Sequence, residues 1–122
     1  MSMIDDGAIA ALARFLDLSV RRSELVMSNM ANIDTPDYRT RDINFQQELQ
    51  RAEGQLEYAS FPPAVRQVQG LIERPDGNNV SVERESLLLA ETQMRFNLGV
   101  QLLKDEFHTV SQAINSGGSA SS

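Results

Sequence analysis

Few side chains in this sequence could carry covalent chemistry, and none has a partner at the spacing such chemistry needs. His108 is the only histidine, and the chain has no cysteine. A base at His108 would have only Ser or Thr to activate, and no G-x-S-x-G elbow presents one. It follows Phe107 in a helical stretch, where a packed or surface histidine is the ordinary reading. Asp5-Asp6 and Glu83/Glu85 could be metal carboxylates, yet both pairs also stand where a helix start favours negative charge. Gly117-Gly118 lies in a polar tail, not between a strand and a helix as a phosphate loop requires. Asn79-Val80-Ser81 fits the glycosylation sequon and is read more simply as a helix cap. Arg39, Arg41 and Arg51 with Tyr38 form a small basic-aromatic group, thin for nucleic acid and suited to salt bridges with a neighbour. The expectation is therefore no enzyme, no cofactor, no metal and no small-molecule substrate.

The composition narrows the remaining classes. The chain has 122 residues and a formal net charge of -6, one domain's worth with a modest core and a poor match to nucleic acid. Without cysteine, disulfides and thiolate metal sites are excluded, while either redox compartment stays open. Asp5 and Asp6 stand where a signal peptide is basic, and Arg14 cuts the apolar stretch that begins at Ala8. Any route out of the cytoplasm is expected to use no cleaved signal. No run approaches the ~20 apolar residues of a membrane span.

The elements that must carry these residues are mainly α-helical. Apolar residues recur at Ile9, Leu12, Leu16, Val26 and Met30, beside a second stripe of Ala8, Ala11, Phe15, Leu18 and Leu25. This predicts a helix from a cap at Asp5 or Asp6 to about Met30. Phe45, Leu49 and Ala52 share a face at helical spacing and predict a short helix. Gly54 to Gly70 is weakly patterned, Leu71-Ile72-Glu73-Arg74 reads as a short strand, and Pro75-Asp76-Gly77-Asn78 as a turn. Ser81 opens a second long helix. Val82, Leu89, Phe96, Leu103 and Val110 recur every seven residues, interleaved with Ser86, Gln93, Val100, Phe107 and Ile114. That repeat predicts a helix packed along its length on another, with Gly99 a mild weak point and Leu87, Met94, Leu98 and Leu102 a second apolar flank. The five methionines sit at helical spacing and read as filler at packed faces.

The fold class expected is thus mainly α: two long terminal helices pairing in a coiled-coil-like manner, with a short mixed insert between them. The boundaries are an N-terminal helix at 1–32, a corner and insert at 33–80, a heptad helix at 81–115 and a flexible tail at 116–122. Both long helices carry more apolar width than mutual pairing hides, which points to a partner or, equally, to a helical hairpin whose insert folds back as a lid. The corner itself is Asn29-Met-Ala-Asn-Ile-Asp-Thr-Pro-Asp-Tyr38. Pro36 disfavours helix at Thr35, and Asn32 and Asp34 tolerate turn conformations. Five such residues close together imply that the direction of the exit matters.

Ser28-Asn-Met-Ala-Asn-Ile-Asp-Thr-Pro-Asp-Tyr38 resembles the S-N-[IL]-A-N-x-x-T-P-G-[YF] signature of bacterial flagellar axial proteins, the rod, hook and junction subunits. Arg41-Asp-Ile-Asn-Phe45, Asp76-Gly-Asn-Asn-Val80 and Glu83-Arg-Glu85 are similar to segments of a short proximal rod member. The resemblance spans about residues 8–115, and Asp37 replaces the usual Gly. If that position takes positive φ, Asp can adopt it at modest cost.

The resemblance implies a structural subunit of the proximal rod of the basal body, part of a hollow shaft that transmits torque and conducts exported subunits. It implies export without a cleaved signal, and periplasmic placement. The implied partners are other copies of the chain, FliE and the export gate at the membrane end, and the rod proteins FlgC, FlgF and FlgG. The implied motif and interface residues are Asn29, Ala31, Asn32, Thr35, Pro36, Tyr38, Arg39, Arg41 and Phe45. Axial packing would use Ile9, Leu12, Phe15, Leu16, Leu89, Phe96, Val100, Leu103, Phe107 and Val110. Residues 33–50 are expected to brace an adjacent subunit, with Tyr38 as an aromatic anchor and Arg39 and Arg41 at its rim; Tyr38 packed on its own insert is the alternative. Another rod subunit, or a small helical type III secretion chaperone or adaptor, remains open as an alternative function.

Overall fold

No proline precedes Pro36, and helix α1 accordingly runs unbroken over Ser2–Ala31. The structure is a computed structural model that describes the backbone of residues 2–54 and 61–121 and the side chains of 7–51 and 61–115. Because α1 already begins at Ser2, Asp5 and Asp6 lie inside it and are not the cap that the sequence predicts; acidic residues still suit the first turns of a helix. The chain turns at 32–37, enters strand β1 (Arg41–Ile43) and then helix α2 (Phe45–Gly54). Asn44 caps α2, its Oδ1 accepting from the Gln47 amide at 3.0 Å. Strand β2 (Val65–Gln67) pairs antiparallel with β1, Asp42 opposite Arg66. Helix α3 (Val82–Ser121) closes the chain.

The second strand is not where the sequence put it. Leu71–Arg74 has no strand geometry, because β1 already pairs with 65–67. The Arg74 amide instead donates to the Asn78 carbonyl at 2.8 Å and closes the 75–78 turn. The tail expected at 116–122 is also different, since α3 continues to Ser121. Two glycines lower helix propensity without the hard stop of a proline, and each added residue still gains a hydrogen bond. The Ala52 side chain and residues 55–60 lie outside the described residues. Among the described residues, no helix is long and apolar enough to cross a membrane.

α1 and α3 lie side by side as the heptad spacing predicts, and they are antiparallel. Asn29 near the end of α1 meets Glu85 near the start of α3, while Phe15 and Leu16 meet Gly99. The insert covers one side of the pair. Leu18, Leu25, Ile43 and Phe45 form the buried core, with Phe15 and Leu49 packed on it. The Phe15 and Phe45 rings meet edge to face at 5.3 Å.

The seam on α3 corrects the expected register. It runs through Glu85, Leu89, Thr92, Phe96, Gly99, Leu103, Glu106 and Val110, alternating by four and three, with Arg84, Leu88, Glu91, Arg95 and Val100 half-buried beside it. Leu89, Phe96, Leu103 and Val110 were assigned to it from sequence. The companion set was not in it: Ser86, Gln93, Phe107 and Ile114 are exposed, and Val100 is half-buried. Polar Glu85, Thr92 and Glu106 hold the alternate positions, so an apolar count slides one residue off. The flank formed by Leu87, Met94, Leu98 and Leu102 remains exposed, at 69, 68, 58 and 45%.

Gly99 is a close-approach site and not merely a weak point. A Cβ there would stand 2.9 Å from Leu16 Cδ2 and 3.0 Å from Phe15 Cδ1. Gly99→Val is expected to cost about 1–3 kcal/mol by overpacking. Gly99→Ala should cost less than Gly99→Val, since ~1 kcal/mol of helix propensity offsets part of the crowding of the Leu16 methyl and the Phe15 ring. Urea unfolding of both variants checks the pair.

Candidate functional site

The corner is held by a set of short polar side chains that converge from three separate stretches of sequence. Asn29 is at its centre and is buried. Its Nδ2 donates to the Arg41 carbonyl at 2.9 Å and to Glu85 Oε2 at 3.1 Å. Its Oδ1 accepts from the Tyr38 hydroxyl at 2.9 Å and from the Arg41 amide at 3.1 Å. One amide therefore ties α1 to the corner, to β1 and to α3, with all its capacity in use. Asn32 ends the helix: its Nδ2 donates to the Ser28 carbonyl at 2.8 Å, and its Oδ1 accepts from Thr35 Oγ1 at 3.0 Å.

The 75–80 turn grips this corner from the other side. Asn78 Nδ2 donates to the carbonyls of Asn32 and Thr35, at 2.8 and 2.9 Å. Asn79 Oδ1 accepts from the Thr40 amide and hydroxyl, at 2.7 and 2.9 Å. The Asp37 amide donates to the Asp76 carbonyl at 2.9 Å. Arg74 donates to the Val80 carbonyl at 2.8 Å and to the Ile33 carbonyl. Asp37 does take positive φ, 63°, so Asp reaches the conformation that its position demands. Gly77, at φ 85°, has no room for a side chain: a Cβ would stand 2.1 Å from Asp37 Oδ1.

Ionic contacts extend the knot toward the core. Asp42 is buried and accepts from Arg22 through both oxygens at 3.1 Å, and from Arg84 Nη2 at 2.8 Å. Arg84 Nη1 also reaches Glu85 Oε1 at 2.7 Å. Glu85 is wholly buried, whereas the sequence offers it as a helix-start acid or a metal carboxylate. Its carboxylate is satisfied by Arg84 and Asn29 together, as a buried charge requires. A second buried pair, Arg14 Nη2 and Glu48 Oε2 at 3.6 Å, fastens α2 to α1.

The residues singled out from sequence separate into two groups. Asn29, Asn32, Thr35, Tyr38 and Phe45 are engaged within the chain, Phe45 as core. Arg39 pairs with Glu73 at 3.1 Å, and Arg41 contributes its backbone to Asn29 while its side chain is exposed. Ala31, Asp34, Thr35, Pro36 and Asp37 are exposed. Of the packing residues, Ile9, Leu12, Phe15, Leu16, Leu89, Phe96, Val100, Leu103 and Val110 are half-buried, and Phe107 is 54% exposed. Arg51 pairs with Glu48 at 3.6 Å, and His108 is exposed on α3. Ser81 Oγ accepts the Arg84 amide at 3.2 Å, so the sequon stretch is a cap. Sequence reasoning missed Arg22, Arg74, Asn78 and Asn79 as knot residues. For Asn78 and Asn79 the signal was present, in the similar segment 76–80; Arg22 and Arg74 lie in none of the similar segments.

The arrangement braces the corner against both long helices. Among the described residues, no group of three or more His, Asp or Glu side chains could hold a metal. No family model matches the chain. Among curated proteins it is similar to the flagellar basal body rod protein FlgB of Cereibacter sphaeroides, 34% identical over 84% of this chain and 89% of the relative. The FlgB proteins of Salmonella typhimurium and Escherichia coli are 27 and 26% identical, each over 92% of this chain and 96% of the relative.

Proposed function

The chain belongs to the FlgB family of flagellar basal body rod proteins, and from that premise we propose how its geometry serves an axial assembly. It is a structural subunit of the flagellar basal body rod and not an enzyme. Its place is the proximal, periplasmic rod, where copies repeat around and along the axis of a hollow shaft. Residues 1–32 and 81–115 are its axial helices, and 33–80 is the insert that the corner aims outward. It reaches the rod without a cleaved signal, meets FliE and the export gate at the membrane end, and meets FlgC, FlgF and FlgG elsewhere in the rod.

The observation that carries this reading is the bare apolar flank of α3, Leu87, Met94, Leu98 and Leu102. A pair of helices this rigidly braced and this incompletely covered needs neighbours to bury the remainder. Tyr38 gives its hydroxyl to Asn29 within the chain, so the brace toward a neighbour is the exposed 34–37 segment with Arg41, and Tyr38 stiffens it from behind. The test is Met94→Glu combined with Leu98→Lys, both on the exposed flank. The variant should keep the circular dichroism and unfolding midpoint of the parent, yet be absent from purified basal bodies and fail to support swimming. Normal incorporation of that variant would refute the proposed packing.

A further inference from the structure

An open groove of about 640 Å³ runs between α2, the two-stranded ribbon and α3. Phe15 and Phe45 line it, and so do Arg22, Arg66, Arg84 and Arg95. Two of these guanidiniums, Arg22 and Arg95, each lie 5.7 Å from the Phe45 ring centre. Among the described residues Asp42 is the one carboxylate in the lining, and it is shared by Arg22 and Arg84. Glu85 holds Arg84 from behind, and Glu91 holds Arg95 at 2.6 Å. Among the described residues, these three acids set against the four arginines leave one positive charge over. It is Arg66, exposed on β2, whose contact is the neutral Gln47 amide oxygen. In a chain of net charge -6, this is a local inversion of sign beside an aromatic surface.

The same chain carries a knob of complementary chemistry. Asp34, Thr35, Pro36 and Asp37 are all exposed, and among the described residues the Asp34 carboxylate has no hydrogen-bond partner. The knob is stiff, because Asn78 and Thr35 fix the backbone and side chain of the turn. A stiff turn loses little entropy on docking, and proline on an aromatic-lined groove is a recurrent recognition mode.

We infer that the groove receives the 34–37 corner of a second copy, with Asp34 on Arg66 and Pro36 toward Phe15. The knot prevents a corner from swinging back into its own groove, so the contact is between molecules. Knob and groove are different surfaces, so the contact is heterologous and repeats head to tail. It rests on the axial-subunit reading above and names the partner surface within it.

The absence of native cysteine gives a clean test. A chain carrying both Asp34→Cys and Arg66→Cys is expressed as the sole copy, and its purified basal bodies are oxidised and run on a non-reducing gel. Dimers and higher multimers are expected from the double variant, and monomer only from each single variant. A double variant recovered in basal bodies yet wholly monomeric overturns the groove and leaves the rod reading intact. Absence of the unmodified chain from basal bodies sinks the rod reading itself. Should the double-cysteine chain not incorporate, the charge exchange decides: Asp34→Arg and Arg66→Asp should each abolish swimming and restore it when combined. Failure of the combination to restore swimming also overturns the groove.

Discussion

Leucine in place of Asn29 is expected to destabilise the chain by about 3–5 kcal/mol, the cost of breaking a buried hydrogen-bonded network around a charge. Four bonds go at once. The Tyr38 hydroxyl and the Arg41 amide lose their acceptor, and Glu85 keeps only Arg84. The side chains are of similar size, so little of the loss comes from packing. Urea denaturation followed by far-UV circular dichroism gives the value. Adding Glu85→Leu to the same variant should recover part of the stability, because the stranded carboxylate is then removed as well. A cost for Asn29→Leu below ~1 kcal/mol, the scale of a surface pair, would mean that the corner is held elsewhere.

Asp42→Ala is expected to fall in a similar range, about 3 kcal/mol or more, for an electrostatic reason. Asp42 is the acceptor that lets Arg22 of α1 and Arg84 of α3 approach one another. Its removal leaves two facing guanidiniums, largely shielded from water, with like charges and no acid between them. It also frees the Ile43 amide, which donates to Asp42 Oδ1 at 2.7 Å. Asp42→Asn retains the shape and one acceptor oxygen, and should cost distinctly less. The same denaturation measurement orders the two. Equal losses would assign the effect to shape, and an intact Asp42→Ala would remove the ionic link from the account of the fold.

The architecture was legible because its signals are local. Pro36, Asn32 and Asp34 mark the corner, and Ser81 marks the start of α3; the structure has both. Period alone revealed that α3 packs along its length. What periodicity could not reveal is which polar residues are buried: Asn29 and Glu85 enter the seam by bonding one another across the helix pair, and Thr92 is buried farther along α3. A hydropathy pattern scores them as surface. The short strand read at 71–74 lies instead at 65–67 for a related reason: three residues make a strand only when a partner is present, and that choice belongs to the tertiary fold. Gly99 was read as a propensity cost because the side chains that crowd it come from α1.

The two helices that define the fold are the first and last pieces of the chain. Asn29 and Glu85 are 56 residues apart in sequence, and Gly99 reaches back still farther, to Phe15 and Leu16. Contact order is therefore high for a helical protein, and a long loop must close before any of these contacts is made. An isolated amphipathic helix is marginal in water, so α1 has no settled structure to wait in. In a chain delivered amino end first, Leu18, Leu25, Ile43 and Phe45 are all present early, whereas Asn29 and the face of α1 at Phe15 and Leu16 wait for Glu85 and Gly99. Truncation ahead of Glu85 thus removes the last third of the molecule and, with it, the partner that fastens the corner.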